Sequence, residues 1–386
     1  MPADAGSHGE TPGRAAWDAL AASALNGGDI KSLESASADG VPLGPIFERV
    51  TVDRPRAWRA AMRWETCERI DEPDPARASD DLRAAAAGGA DAVEIVLVGA
   101  PRAYGLGVSL DSATDARTTI AAVDAARGPA IALSTGEDFV RDAAPLVAAV
   151  SRDLPPSVAR VAFGLDPFNF ADADGGAARL VAQARFARRL ADEGWRGPYF
   201  VADSAPAHEA GASEAQEIAF ALAAVVEIAR AAEEAGLSRP RSFEATAVHL
   251  AADADVVLGV AKFRAVRLCA ARIAELSDVS AAAFRIEAQA SRRMAAKADP
   301  HANLLRVALA IAAAALGGAD RVTPLPFTQA PGDPDAFARR VARNASIVLR
   351  DECFLARVAD PAAGAGAFEA ATLGLCEAAW AEFRAI

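Results

Sequence analysis

Short apolar runs alternate with longer amphipathic segments from about residue 80 to the end of the chain. Each short run suits a strand buried on both faces, and each longer segment has the 3.6-residue period of a helix. Eight strands are predicted, at residues 92–99, 130–134, 158–164, 199–204, 243–250, 283–290, 322–327 and 355–360.

Residues 198–250 form the clearest repeating unit of this pattern, because an apolar strand, a capped helix and a second apolar strand follow one another. Ser213 and Gln216 have the spacing of a capping box, and Gly236 stands where the helix would end. Strands joined through a helix of this length pair in parallel. The loops that follow both strands therefore lie on the same rim, where α/β proteins keep their chemistry.

Eight alternating units predict an α/β fold of the (β/α)8 TIM barrel type, with helices outside a closed parallel sheet. An open doubly wound sheet has the same local pattern, and the count of eight favours the barrel. Residues 1–80 are predicted to be an N-terminal extended and helical arm, and residues 81–386 to be the barrel.

Composition excludes several classes of partner. The formal net charge is -12 and the chain has no long basic run, which argues against nucleic acid and against an anionic membrane surface. No apolar run is long enough to cross a bilayer. The four cysteines are widely spaced and lack a Cys-x-x-Cys pair, which favours free thiols and a cytoplasmic location; they are Cys67, Cys269, Cys353 and Cys376.

Candidate polar groups follow several of the predicted strands. An imidazole on the rim could act as an acid, a base or a hydrogen-bond donor, and a carboxylate or amide there could orient a ligand. Each group could equally be a packed residue or a local cap. The candidates are Asp166, Asp203, His208, His249 and Gln289. Residues 360–366 are glycine-rich and precede a helix, but they lack the Gly-Lys-Ser/Thr ending of a phosphate loop.

Several ordered segments resemble the barrel domain of the methylmalonyl-CoA mutase family. They cover nearly the whole chain and lie at residues 39–47, 209–217, 261–267, 313–320, 325–327, 334–344, 357–361 and 377–383. The resemblance implies radical chemistry on an acyl-CoA. In family members adenosylcobalamin supplies the radical, the substrate threads the barrel axis, and the cobalamin lies beneath a separate flavodoxin-like domain.

Departures from the family pattern point to a non-catalytic role. When the segment is aligned on Glu209-Ala-Gly211, Ala205 and Pro206 stand where catalytic chains have a Tyr-His pair. Neither side chain can donate a hydrogen bond. The substrate-binding Thr-Met-Tyr motif has no counterpart around residues 47–64, and no Asp-x-His-x-x-Gly loop for cobalt occurs up to Ile386. We therefore expect no cobalamin-binding domain and no catalytic residue in this chain.

Two hypotheses follow from the resemblance. The first is a structural small subunit that pairs with a catalytic large subunit, which would supply adenosylcobalamin to the heterodimer. The second is an active acyl-CoA mutase barrel that works with a separate cobalamin-binding chain. The missing side chains favour the first, and the apolar stripe of Trp17, Leu20 and Leu25 in the arm is the expected contact with the partner.

Overall fold

The computed structural model describes residues 13–52, 59, 63–170, 175–280, 284–330, 332 and 334–386. Eight parallel strands form one sheet, in the order β4-β3-β2-β1-β8-β7-β6-β5. A parallel bridge between Leu165, just after β4, and Phe200 of β5 joins the two ends of this sheet. The strands are β1 Glu65–Ile70, β2 Ala92–Val96, β3 Ala130–Ser134, β4 Val161–Ala162, β5 Phe200–Asp203, β6 Thr246–Ala252, β7 Arg285–Ala290 and β8 Arg321–Thr323.

Helices surround this sheet, and the (β/α)8 barrel is confirmed. The predicted capping box of Ser213 and Gln216 is present at the start of α7, and Gly236, with a positive φ, follows the end of that helix. The helices are α1 Arg14–Ala24, α2 Pro75–Ala87, α3 Ala113–Ile120, α4 Phe139–Ser151, α5 Gly176–Asp192, α6 Ala205–Glu209, α7 Glu214–Glu234, α8 Arg239–Glu244, α9 Val256–Leu276, α10 Ala302–Leu316, α11 Ala336–Ile347 and α12 Gly366–Ala385.

The first barrel strand corrects the predicted boundary between arm and barrel. Strand β1 and helix α2 belong to the barrel, although both begin before residue 81. The sequence of β1, Glu-Thr-Cys-Glu-Arg-Ile, does not look like a buried strand because half of its residues are charged. Those charges find partners in the fold: Glu65 pairs with Arg321, and Glu68 pairs with Arg343.

The predicted strand at residues 355–360 is wrong. This segment is a series of turns, and Phe354 and Asp360 have φ values of 60° and 43°, which no strand residue adopts. The predicted start of the fifth strand at Phe243 is also wrong, since that residue belongs to α8 and β6 begins at Thr246. Residues 1–12 of the predicted arm and residue 283 of the sixth predicted strand lie outside the described residues.

The described part of the N-terminal segment has two regions. Helix α1 has no buried residue, and Leu20 on it is 69% exposed. Residues 37–50, in contrast, lie against the barrel helices. Asp39 accepts a hydrogen bond from the backbone N–H of Ala215 at the start of α7, and Val41 is buried. The second region is therefore part of the barrel's own packing.

No helix among the described residues is both long enough and apolar enough to cross a membrane.

Candidate functional site

Arg102 organises the half of the barrel interior that lies nearer the C-terminal ends of the strands, which we call the upper half. It comes from the loop after β2, and its guanidinium is buried. Its Nη2 lies 2.5 Å from Glu94 Oε1, and its Nε lies 2.6 Å from Asp203 Oδ2. Its Nη1 donates to Gln289 Oε1 over 3.0 Å. One arginine thus connects β2, β5 and β7 across the lumen.

His249, on β6, completes this upper layer. Its Nδ1 is 2.8 Å from Asp203 Oδ1, and its Nε2 is 3.4 Å from Arg102 Nη1. A guanidinium can only donate, so Nε2 accepts and Nδ1–H donates to the carboxylate. Burial disfavours the Asp203 charge, but Arg102 and His249 outweigh it and hold the pKa of Asp203 at about 2. Both ring nitrogens of His249 are therefore engaged by the protein.

A second ionic layer fills the lower half of the lumen, near the strand N-termini. Arg321 pairs with Glu65 over 2.9 Å and with Glu287 over 3.2 Å, and Arg285 lies 2.7 Å from Glu287. Burial opposes ionisation of Glu287, but Arg321 and Arg285 hold its pKa at about 2. In this layer the positive charges of two arginines balance the negative charges of two glutamates.

The space left between the two layers is a cavity of about 30 Å³, lined among others by Cys67, Glu94, Arg102, His249 and Arg321. A water needs roughly 10–15 Å³ of such space, so about two waters would fit. Burial raises the pKa of the Cys67 thiol in this wall to about 12, so this thiol is neutral. Between the two layers the lumen is therefore closely packed.

Asp166 lies beside this network but makes mostly local bonds. Its carboxylate accepts from the backbone N–H of Phe168 and from the side-chain amide of Asn169, over 3.0 Å and 2.8 Å. The Asn169 amide also donates to the backbone carbonyl of Asp203. Burial and the neighbouring Asp203 carboxylate raise the pKa of Asp166 to about 6. Asp166 organises the loop after β4, as a capping carboxylate would.

His208 belongs to a different cluster, between the rim and the outer helices. It is fully buried in α6, with Nε2 3.1 Å from Ser291 Oγ and Nδ1 3.3 Å from Glu217 Oε2. Lys262 of α9 lies 2.7 Å from the same Glu217 oxygen. Asp253 lies 3.5 Å from His208 Nε2. This cluster joins α6, α7 and α9 to the residues that directly follow β6 and β7.

Ala205 and Pro206 occupy the first turn of α6, directly after β5. Ala205 is buried, and its backbone N–H donates to Asp203 Oδ1 over 3.1 Å. The Ala205 methyl and the Pro206 ring offer no donor toward the rim. The structure thus brings Asp203, His249 and Gln289 together and leaves Asp166 and His208 outside that set.

The glycine-rich loop at residues 360–366 contacts the chain itself. The backbone N–H of Val50 donates to the carbonyl of Gly364 over 3.0 Å. A Cβ on Gly366 would lie 1.9 Å from the carbonyl oxygen of Glu48. The glycines therefore permit close approach of residues 47–50.

Several important residues escape prediction from the sequence. Glu94 sits in the middle of the apolar run Ala-Val-Glu-Ile-Val, and Lys262 lies on the buried face of α9. A charge inside an apolar run is the signal that could have marked them, because buried charges are rare unless paired. Arg102 gives no such signal, since it lies in a loop and reaches its partners only through the fold.

The described residues contain no group of three histidine, cysteine or acidic side chains able to hold a metal ion. His208 and His249 are both buried with their ring nitrogens engaged. Neither is available as a ligand for the cobalt of adenosylcobalamin, so these residues do not fit that group.

A family model described as methylmalonyl-CoA mutase matches residues 200–386. The methylmalonyl-CoA mutase small subunit of Streptomyces virginiae is 43% identical over 229 residues, which cover 59% of this chain and 37% of the relative. The small subunit of Propionibacterium freudenreichii subsp. shermanii is 38% identical over 237 residues, covering 61% and 37%. The chain thus spans little more than a third of the length of these relatives. Residues 200–386 are thus similar to the methylmalonyl-CoA mutase family, and the relatives of this chain carry that name.

Proposed function

We propose that this chain is a non-catalytic small subunit of a methylmalonyl-CoA mutase, which interconverts methylmalonyl-CoA and succinyl-CoA. In this role it pairs with a catalytic large subunit as a heterodimer in the cytoplasm. The proposal rests on two observations. The similar proteins are named as small subunits of methylmalonyl-CoA mutase, and the barrel interior of this chain is packed with paired charges. Adenosylcobalamin would then be bound by the large subunit.

The observation that carries the proposal is the small space between the two ionic layers of the lumen. The family resemblance implies a substrate that threads the barrel axis, and a pantetheine arm needs a continuous channel of several hundred Å³. Here the two ionic layers leave about 30 Å³. Opening a path would separate Arg102 from Glu94 and Asp203 and leave buried charges without partners, at a cost of about 3–5 kcal/mol for each broken pair.

The missing donors give independent support. Acyl-CoA rearrangement needs a hydrogen bond to the thioester carbonyl, and Ala205 and Pro206 supply none from their side chains. His249, the nearest imidazole on the lumen side, already donates to Asp203 and accepts from Arg102. Among the described residues, Ala205 and Pro206 offer no side-chain donor and the space between the two ionic layers is small, so we infer that this chain contributes through its surface.

The test is reconstitution with a mutase large subunit. We expect the chain alone to give no spectral change with adenosylcobalamin and no turnover of methylmalonyl-CoA, and the co-expressed pair to be active as a heterodimer. His249→Gln in this chain should leave kcat and KM of the heterodimer unchanged once folding is verified by circular dichroism. Turnover by this chain with a separate cobalamin-binding protein, lost in His249→Gln, would overturn the proposal and favour an active barrel.

A further inference from the structure

A groove of about 560 Å³ lies on the outer surface between α9 and α12. Leu268 and Arg272 of α9 and Leu373 and Trp380 of α12 line it, together with two free cysteines, Cys269 and Cys376. Cys269 is 4% exposed and Cys376 is half-buried. The barrel network does not involve either thiol.

The packing of the two helices places these thiols on facing surfaces of the same groove. On α12, Thr372 and Cys376 are one turn apart, and on α9 the carbonyl of Ala265 and Cys269 are one turn apart. Arg264 Nη1 donates to Thr372 Oγ1 over 2.9 Å, and Cys376 Sγ lies 3.7 Å from the Ala265 carbonyl oxygen. The same faces therefore meet over two successive turns, and Cys269 and Cys376 both line the groove between the two helices.

The environment makes the two sulfurs unequal. The neighbouring thiols influence each other, so that the pKa of Cys376 is lowered and that of Cys269 is raised. Burial works against the Cys376 thiolate, and the Arg264 guanidinium supports it. The thiolate is the nucleophilic form of cysteine. The more accessible Cys376 is thus the attacking group, and the buried Cys269 is placed to resolve the product.

We propose that Cys269 and Cys376 are a redox-active dithiol that closes to a disulfide between α9 and α12. With hydrogen peroxide as oxidant, the Cys376 thiolate attacks one oxygen, the S–O bond forms, the O–O bond breaks and hydroxide leaves. The Cys269 sulfur then attacks the sulfenic sulfur, the S–S bond forms, and hydroxide leaves again. Two thiols lose two electrons and two protons, and the peroxide becomes two waters.

The disulfide would restrain helix α12, against which part of the N-terminal region packs. Helix α12 carries Gly374, where a Cβ would lie 2.7 Å from a methyl carbon of Val41, and Gly366, which lies against Glu48. Fixing α12 to α9 therefore fixes the surface on which residues 41–50 lie. We expect the disulfide to raise Tm by a few degrees and to slow proteolysis of that segment.

Peptide mapping of the full chain tests this inference. The reduced protein is treated with hydrogen peroxide, remaining thiols are alkylated, and the digest is analysed without reduction. We expect a Cys269–Cys376 linked peptide that dithiothreitol removes, while the buried Cys67 stays unoxidised. In Cys269→Ser, Cys376 should accumulate as a sulfenic acid that dimedone traps.

Cys353→Ser is the matched control, because Cys353 is an exposed free cysteine away from the groove. This variant should form the linked peptide as the wild type does. Two results would overturn the inference. In the first, Cys353 is oxidised while Cys269 and Cys376 can still be alkylated. In the second, the linked peptide forms only after the protein is denatured. Circular dichroism of each variant verifies that loss of the link does not reflect unfolding.

Discussion

Buried charges in this protein are held as matched sets. Glu217 and Lys262 illustrate this, because both side chains are at most 1% exposed and their charged atoms are 2.7 Å apart. His208 adds a second contact to Glu217. Burial opposes ionisation of Glu217, but Lys262 and His208 lower the pKa of this carboxyl below its usual range. Each charge in the set therefore depends on the others for its stability.

Removing one member of this set should be costly. We expect Lys262→Ala to lower the free energy of unfolding by about 3–5 kcal/mol, because Glu217 would remain as an unpaired buried charge. Urea denaturation measures the change. Arg230→Ala is the control on α7, since Arg230 and Glu227 form an exposed pair that should contribute about 0.5 kcal/mol or less. Equal effects of the two substitutions would contradict the role given to burial.

His208 makes the stability depend on pH. Burial opposes its charge, but hydrogen bonds to Asp253 and Glu217 outweigh burial and raise its pKa above the usual value. Lys262 and Arg293 also face this cluster. A histidine with a raised folded-state pKa stabilises fully below its unfolded pKa of about 6.5, and the contribution is lost as pH rises through the higher folded value.

We therefore expect the wild-type free energy of unfolding to fall as pH rises above about 6.5, and His208→Gln to fall less over the same range. Denaturant unfolding at several pH values measures both slopes. His301→Gln, which changes an exposed histidine, serves as the control and should retain the wild-type slope. An identical slope in His208→Gln would show that another group governs this pH dependence.

At the scale of elements, the junction between the N-terminal region and α12 depends on close backbone approach. Residues 47–50 lie over the loop before α12, with Val50 bonded to Gly364. Asp39 contacts the start of α7, and Val41 lies against Gly374. The segment is therefore held at several points by helices that are far from it in sequence.

A single methyl group should disturb this junction. Gly366→Ala places a Cβ 1.9 Å from the Glu48 carbonyl oxygen, so residues 47–50 must move away from the barrel. We expect at least about tenfold faster amide exchange at these residues, which corresponds to about 1.4 kcal/mol of local stability. Gly44→Ala is the control, since its nearest neighbour would be 3.7 Å from the Cβ. Unchanged exchange in Gly366→Ala would show that the junction accommodates the methyl.

At the scale of the whole molecule, the barrel is a complete core and α1 remains outside it. Helix α1 buries no residue against the rest of the chain, and Leu20 is 69% exposed. An exposed apolar helix of this kind suits a protein contact. Residues 37–50, in contrast, contribute to the barrel's packing, so they should be kept when the arm is tested.

Removal of residues 1–34 should leave the fold intact and weaken association with a mutase large subunit by at least about tenfold, or roughly 1.4 kcal/mol. Circular dichroism checks the fold, and analytical ultracentrifugation of the co-expressed pair measures association. Leu20→Ser in the full-length chain should weaken association in the same direction. An unchanged heterodimer after truncation would show that α1 is not the contact.

The local sequence by itself determined the alternation of helices and strands for β2 to β8, whereas the predicted count of eight was reached only because the missed β1 offset the wrong strand at residues 355–360. The capping box at Ser213 and the glycine after α7 are local signals, and they predicted the observed helix closely. Apolar runs in the sequence predicted β5, β6 and β7. These neighbouring strands carry Asp203, His249 and Gln289. These features depend on residues that are near one another in the chain.

Only the tertiary structure decided which charged residues meet. Strand β1 looks too polar to be buried until Arg321 and Arg343 are placed beside it. Arg102 joins Glu94, Asp203 and Gln289 across more than one strand, and no local pattern encodes that meeting. The physical reason is a difference in range. Hydrophobic periodicity and helix capping depend on residues close together in the chain, whereas the partner of a buried charge is fixed only when the barrel closes.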